Sequence, residues 1–297
     1  MPDSAFLAAI VAWLTAEPTI ESAVLYGSGA NGALETHHAD EWSDIDLHVV
    51  TSNRRRVYEI DWTRALPTHR LCFCAIQPAT GGTNKMTVIF SDGQLDVVIV
   101  SKTQMRLARW AMRFGLHRKV RFIRDALNEM ATSMRTGYRF LKGAHLSGDI
   151  YSRVVNEMPG VRLRDIAVRE LADLFLVNMV VAMKRLDRGE LVAVQYSLHR
   201  QLVETNLRLL REIRLRRGAS LPSFGLGRRV EVLLSSIELS SVRVSARLDR
   251  NELSDALKSA FAGMKYLTRQ LVPDWSVPPA FDDFLMQYSN DKTSRSF

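Results

Sequence analysis

The rhythm of apolar and polar positions changes near residue 104. Before it, short apolar runs are separated by turns; after it, apolar residues recur at helical spacing over long stretches. Residues 6–14 have the length and composition of a helix, with Asp3 or Ser4 as its N-cap. Residues 22–26 form an apolar run ending at Gly27, a buried strand that runs into a glycine turn. A polar stretch with two glycines follows over 29–42, and residues 44–50 then alternate polar and apolar, a strand with one buried face. Residues 54–66 predict a short helix closed by Pro67. Strands are expected at 70–76, 85–90 and 94–100, the last two joined by the turn Ser91-Asp92-Gly93 as an antiparallel hairpin.

Helices are expected at 117–142, 163–186, 190–217, 230–239 and 251–271, with breaks at 143–148, 159–160, 189 and 218–227. No internal repeat is visible, and the tail from Pro273 is irregular. The pattern predicts an α+β protein: residues 1–104 as a mixed sheet flanked by helices, and residues 105–297 as an all-helical bundle.

Composition narrows the class. At 46% hydrophobic and 24% charged the chain is globular, and it lacks the run of about 18 apolar residues that a membrane span needs. The first residues do not have the basic-then-apolar pattern of a signal peptide, so a cytoplasmic setting is the default expectation. Cys72 and Cys74 lie two apart in an apolar run, where they read as small buried hydrophobes rather than as a disulfide or metal pair. Charge is divided unevenly: residues 1–104 carry 7 Lys and Arg against 12 Asp and Glu, a net −5, while the rest holds +13 of the overall +8. A nucleic-acid partner is conceivable on the basic half, but an arginine-rich solvated surface accounts for it more simply.

The chemistry concentrates in the first half. Residues i and i+2 of a strand share a face, so Asp44 and Asp46 present two carboxylates side by side. That arrangement is costly unless a cation is shared between them. Asp96 lies in an otherwise apolar strand, where a carboxylate is expensive without a cation or donors. Three strand-borne acids converging on hard divalent ions such as Mg²⁺ is the economical reading, with metal ligands Asp44, Asp46 and Asp96. Gly27 lets the backbone approach a phosphate, and the Ser28 hydroxyl can donate to its oxygens. Such a set supports in-line displacement at the α-phosphorus of a nucleoside triphosphate, with Asp96 beside the attacking hydroxyl and able to take its proton.

These residues carry a resemblance. Residues 24–31, VLYGSGAN, and 40–46, DEWSDID, with 92–96, DGQLD, are similar to the DNA polymerase β-type nucleotidyltransferases, and within them to the aminoglycoside 6-adenylyltransferase (streptomycin adenylyltransferase) family. Residues 182–191, AMKRLDRGEL, resemble the segment joining two helices of that family's substrate domain. Departures are Gly29, where the family has an arginine, a longer loop between Ser28 and Asp44, and a basic stretch at 106–124 in place of an acidic one. The resemblance implies a nucleotidyltransferase domain followed by a helical substrate-binding domain, ATP as donor, two Mg²⁺ ions, and a small-molecule hydroxyl as acceptor. That acceptor would be an antibiotic such as an aminoglycoside or lincosamide, and the enzyme a monomer or homodimer.

Secondary candidates lie in the helical half. Asp173, with Glu170 as fallback, is a candidate acid toward the acceptor, and Lys184 a candidate triphosphate contact sharing a face with Arg188. His48 follows Asp46 by two on the same strand face and is a weaker candidate for bordering the site, while His37-His38 reads as a polar loop. Alternatives keep the chemistry with a nucleic-acid end, a nucleotide or a protein side chain as acceptor, or make the chain a silent nucleotide-binding regulator.

Overall fold

A computed structural model describes residues 4–30, 44–135, 137–158, 162–219 and 230–281, and the chain divides into two compact units, Met1–Val161 and Arg162–Phe297. His37 and His38 fall outside the described residues.

The first unit is built on one sheet. Its strands are β1 (Ile20–Tyr26), β2 (Ile45–Thr51), β3 (Leu71–Ala79), β4 (Thr83–Phe90), β5 (Gly93–Ser101) and β6 (Tyr138–Lys142), in the order β3-β4-β5-β2-β1-β6. β2 and β5 run parallel and every other pair is antiparallel, so the sheet is mixed. The hairpin β4–β5 closes Phe90 against Gly93, where the Ser91–Asp92 turn signal predicted it.

The period-two alternation of the strands sorts residues onto two faces. On one, Ala23, Leu25, Ile45, Leu47, Val49, Met86, Val88, Leu95, Val97 and Ile99 join one buried cluster. It is closed by α1 (Ser4–Ala16) through Phe6, Ile10, Trp13 and Leu14, and by α2 (Arg54–Tyr58) and α3 (Trp62–Ala65) through Val57 and Trp62. Each such side chain contributes roughly 1.5–3 kcal/mol by leaving water. The single helix expected over residues 54–66 is two, because Asn53 and Asp61 each cap a new helix with a side-chain oxygen.

The other face carries Val24, Tyr26 and Val50 and is covered by α4 (Lys102–Arg113), α6 (Arg121–Met134) and α7 (Ala144–Glu157), with α5 (Leu116–Lys119) between the first two. Helix α4 starts at a capping box in which Ser101 and Gln104 satisfy each other's backbone N–H. The helix expected over 117–142 is instead α5, α6 and the edge strand β6: Gly137, with φ 123, breaks the helix and Tyr138–Lys142 pairs with β1. Residues 143–148, expected as a break, open α7, whose first turn follows Gly143. The contacts therefore place the change of unit after Val161, well beyond the change of pattern at 104, because α4–α7 cover this unit's sheet.

Cys72 and Cys74 are exposed, not buried. β3 is the sheet's outer strand and most of its side chains meet solvent, which an apolar sequence run alone cannot reveal.

The second unit is helical: α8 (Asp165–Asp187), α9 (Leu191–Ser197), a π-helical link Leu198–Val203, α10 (Glu204–Arg216), the short α11 (Val230–Leu233) and α12 (Ser236–Ser240), and α13 (Arg250–Leu271). Its core is one cluster including Phe175, Met179, Leu198, Leu209, Leu257 and Met264. Asn206, fully buried, donates to Ser241 O at 3.3 Å and Ala260 O at 2.8 Å, tying α10 to its neighbours. Buried Glu212 accepts from Leu163 N at 2.9 Å and Arg216 Nε at 3.0 Å, so its charge is paired. Among the described residues no helix is long and apolar enough to cross a membrane.

Candidate active site

Strand register assembles the acids. Asp46 on β2 stands beside Asp96 on β5, and Asp44 immediately precedes β2 on the same face. One carboxylate oxygen from each of Asp44, Asp46 and Asp96 lies within 4.8 Å of the others, with Asp96 buried and the other two half-buried. The face is the one opposite the packed cluster of Leu47 and Val97. The parallel β2–β5 pairing is what joins two aspartates fifty residues apart.

Gly27 and Ser28 open a 3-10 turn, Gly27–Ala30, that follows β1 directly. Tyr26 pairs with Asp46 across β1–β2, so the turn passes the acids. Gly27 has φ 76, and a Cβ there would stand 2.9 Å from Asp46 Oδ2. Both the left-handed backbone and the closeness of the carboxylate require glycine.

Three side chains that the sequence reading did not single out hold Asp96. Thr87 Oγ1 donates to its Oδ1 at 2.6 Å, Gln94 Nε2 donates to its Oδ2 at 3.2 Å, and Lys85 Nζ lies 2.6 Å from Oδ2. Partial burial pulls the Lys85 ammonium down, but Asp96, Asp46 and Asp44 outweigh it and hold the pKa above the ordinary lysine value. The hairpin register places Thr87 opposite Asp96, so the predicted turn already contained this signal. Tyr26 is a fourth: burial first, then the charges of Asp46, Asp96, Asp44 and Glu129, push its phenol well above the usual range, and it stays neutral.

His48 lies two residues beyond Asp46 on the same strand face. It is buried and shares a hydrogen bond through Nδ1 with the Tyr151 hydroxyl of α7. Burial pushes its pKa down to about 4, so the imidazole is neutral at ordinary pH.

The donor set suits a hard divalent cation: three carboxylates with oxygens a few ångströms apart, at the rim of a sheet, where mutual repulsion is relieved by a shared ion. Asp44, Asp46 and Asp96 are the residues that would hold it.

No family model and no curated protein matches the chain. Among solved structures it is similar to an aminoglycoside 6-adenyltransferase from Bacillus subtilis, at 12% identity over 96% of each chain with a TM-score of 0.42. It is also similar to a nucleotidyltransferase-like protein from Exiguobacterium sibiricum, at 12% identity over 88% of this chain and 73% of that one, with a TM-score of 0.32.

The remaining candidates belong to the second unit. Asp173 is exposed on α8 and accepts from Trp275 Nε1 at 3.2 Å; Glu170 and Lys184 are exposed on the same helix. Several arginines of the basic half are committed to carboxylates: Arg214 to Glu238 at 3.1 Å, Arg216 to Asp165 at 2.8 Å, and Arg169 to Asp274 at 2.5 Å. Arginines tied up in this way leave less positive charge for a phosphate backbone.

Proposed function

We propose that this chain is a metal-dependent nucleotidyltransferase that moves AMP from ATP to a hydroxyl of a small molecule. The observation that carries the reading is the convergence of Asp44, Asp46 and Asp96 beside the Gly27 turn. The turn, through its backbone and Ser28, receives the triphosphate at an approach that only glycine permits. Asp44, Asp46 and Asp96 would hold two Mg²⁺ ions, which when bound would supply charge neutralisation at the phosphates and a lower pKa for the incoming hydroxyl. Asp96, held by Thr87 and Lys85, accepts the hydroxyl proton. The new oxygen–phosphorus bond forms as the bond between the α-phosphorus and the bridging oxygen breaks, and pyrophosphate leaves with that electron pair. Asp173, from the family resemblance, and Lys184, from the helix face it shares with Arg188, are the candidates of the second unit, and the resemblance implies an antibiotic acceptor, an aminoglycoside first.

The test is incubation with labelled ATP, Mg²⁺ and an acceptor panel of streptomycin, other aminoglycosides, lincomycin and short RNA, beside Asp44→Asn. Label on an acceptor with matched pyrophosphate release, abolished in Asp44→Asn, is expected. Pyrophosphate that never appears with any of these acceptors or with a neutral alcohol refutes the transferase, and transfer that survives Asp44→Asn refutes the site.

A further inference from the structure

The sheet face that carries the acids also floors a cavity of about 360 Å³, whose described lining residues all belong to the first unit. Tyr26, His48, Val98 and Val100 form the floor, and Met105 and Ala111 of α4 with Ala126 and Met130 of α6 form the walls. Leu107, Trp110 and Phe122 also line it, and each is more than half exposed. Among the described residues that line it, Glu129 is the only charged side chain. An apolar cavity of this size with a few polar groups is the usual form of a small-molecule site. Exposed Leu, Trp and Phe together at one opening mark a surface that a ligand covers.

Chain direction places the cavity relative to the reaction. The Gly27 turn continues from Tyr26 past Asp46, whereas His48 and then Val50 lead away from it along β2, as Val98 and Val100 do along β5. Along this face the order is therefore phosphate turn, acids, cavity. Same-face neighbours in a strand are roughly 7 Å apart, so the cavity floor begins about one such step from the carboxylates. In-line displacement puts the nucleophile opposite the leaving pyrophosphate. With pyrophosphate on the turn side, the hydroxyl arrives from the cavity side.

We propose that this cavity is the acceptor subsite, and that it takes an uncharged, largely apolar molecule presenting one hydroxyl to Asp96. The proposal rests on the transferase reading above and replaces the aminoglycoside that the resemblance implies with an acceptor class read from the cavity lining. A polycation would bring several ammonium groups to a lining with one carboxylate, and each ammonium left without a partner loses its hydration uncompensated. A nucleobase would meet few of the hydrogen-bonding groups that its edges require. In the transfer the acceptor oxygen bonds to the α-phosphorus, pyrophosphate departs, and the hydroxyl proton passes to Asp96.

Two readouts test it. Cyclohexylethanol, menthol and streptomycin are titrated against Trp110 emission, with Trp110→Phe identifying the signal, and the same compounds are offered as acceptors with labelled ATP and Mg²⁺. The uncharged compounds are expected to shift Trp110 emission and to release pyrophosphate, and Ala126→Phe, which fills the cavity, to weaken both by tenfold or more. Phe122→Ala, at an exposed position, is expected to weaken binding severalfold, and thermal melts of both variants confirm folding. Streptomycin adenylylated with unchanged kcat/KM in Ala126→Phe, or no Trp110 response to either uncharged compound, would overturn the subsite while the transferase stands. Pyrophosphate that appears with none of the acceptors removes the transferase, and the acceptor assignment with it, even if Trp110 responds.

Discussion

The two faces of the β1–β6 sheet are made from the same strands and do opposite work. On β5, Leu95, Val97 and Ile99 are fully buried against α1–α3, while Asp96, Val98 and Val100 face a carboxylate cluster and a cavity. One face is packed as a protein interior with no room to spare. The other keeps like charges a few ångströms apart and leaves a void of about 360 Å³. The difference teaches that stability and chemistry are allotted residue by residue along one strand, the packed face offsetting what the open face costs.

The sharpest break of that comparison is Asp46→Asn. It is expected to lower nucleotidyl transfer on the order of a thousandfold, about 4 kcal/mol of transition-state stabilisation. Its melting temperature in metal-free buffer should be unchanged or higher, because a like-charge contact is relieved. A variant that loses activity and stability together would show that the acids are structural. Next comes a pair on neighbouring residues. Val97→Ala, on the packed face, is expected to cost about 2–3 kcal/mol in urea unfolding, whereas Val98→Ala, on the cavity floor, costs under about 1 kcal/mol. Equal costs would mean that the faces are equally packed. Gly27→Ala forces a Cβ to 2.9 Å from Asp46 Oδ2 at φ 76, and is expected to destabilise by about 1–2 kcal/mol and raise the KM for ATP. Smallest is Thr87→Val, which removes the hydrogen bond to Asp96 Oδ1: a loss of about 1 kcal/mol in stability is expected, with kcat falling and KM for ATP little changed.

Much of this was legible along the chain, for stated reasons. Alternation in residues 44–50 and the Ser91-Asp92-Gly93 turn specify strand faces and a hairpin, because side-chain direction in a strand depends only on parity. Helices α8, α10 and α13 announce themselves by period. Strand β6 was not legible: Tyr138–Lys142 continues an apolar helical rhythm, and only Gly137 and the open edge of β1 turn it into a strand. The exposure of Cys72 and Cys74 was equally hidden, since an outer strand and a central one read alike. Lys85 lay unremarked in a strand whose register alone brings it to Asp96.

Sequence by itself determined which residues are candidates for chemistry: Gly27, Asp44, Asp46 and Asp96 stand out because a glycine between strand and turn, and acids in apolar strands, are costly without a purpose. Only the tertiary structure decided what surrounds them. The parallel pairing of β2 with β5 brings Asp96 to Asp46, Thr87 and Lys85 hold it, and α4 and α6 lay an apolar cavity alongside. The physical reason is range: side-chain direction is a local property of the backbone, whereas which strands pair, and which helices cover them, is settled by burial summed over residues far apart in sequence.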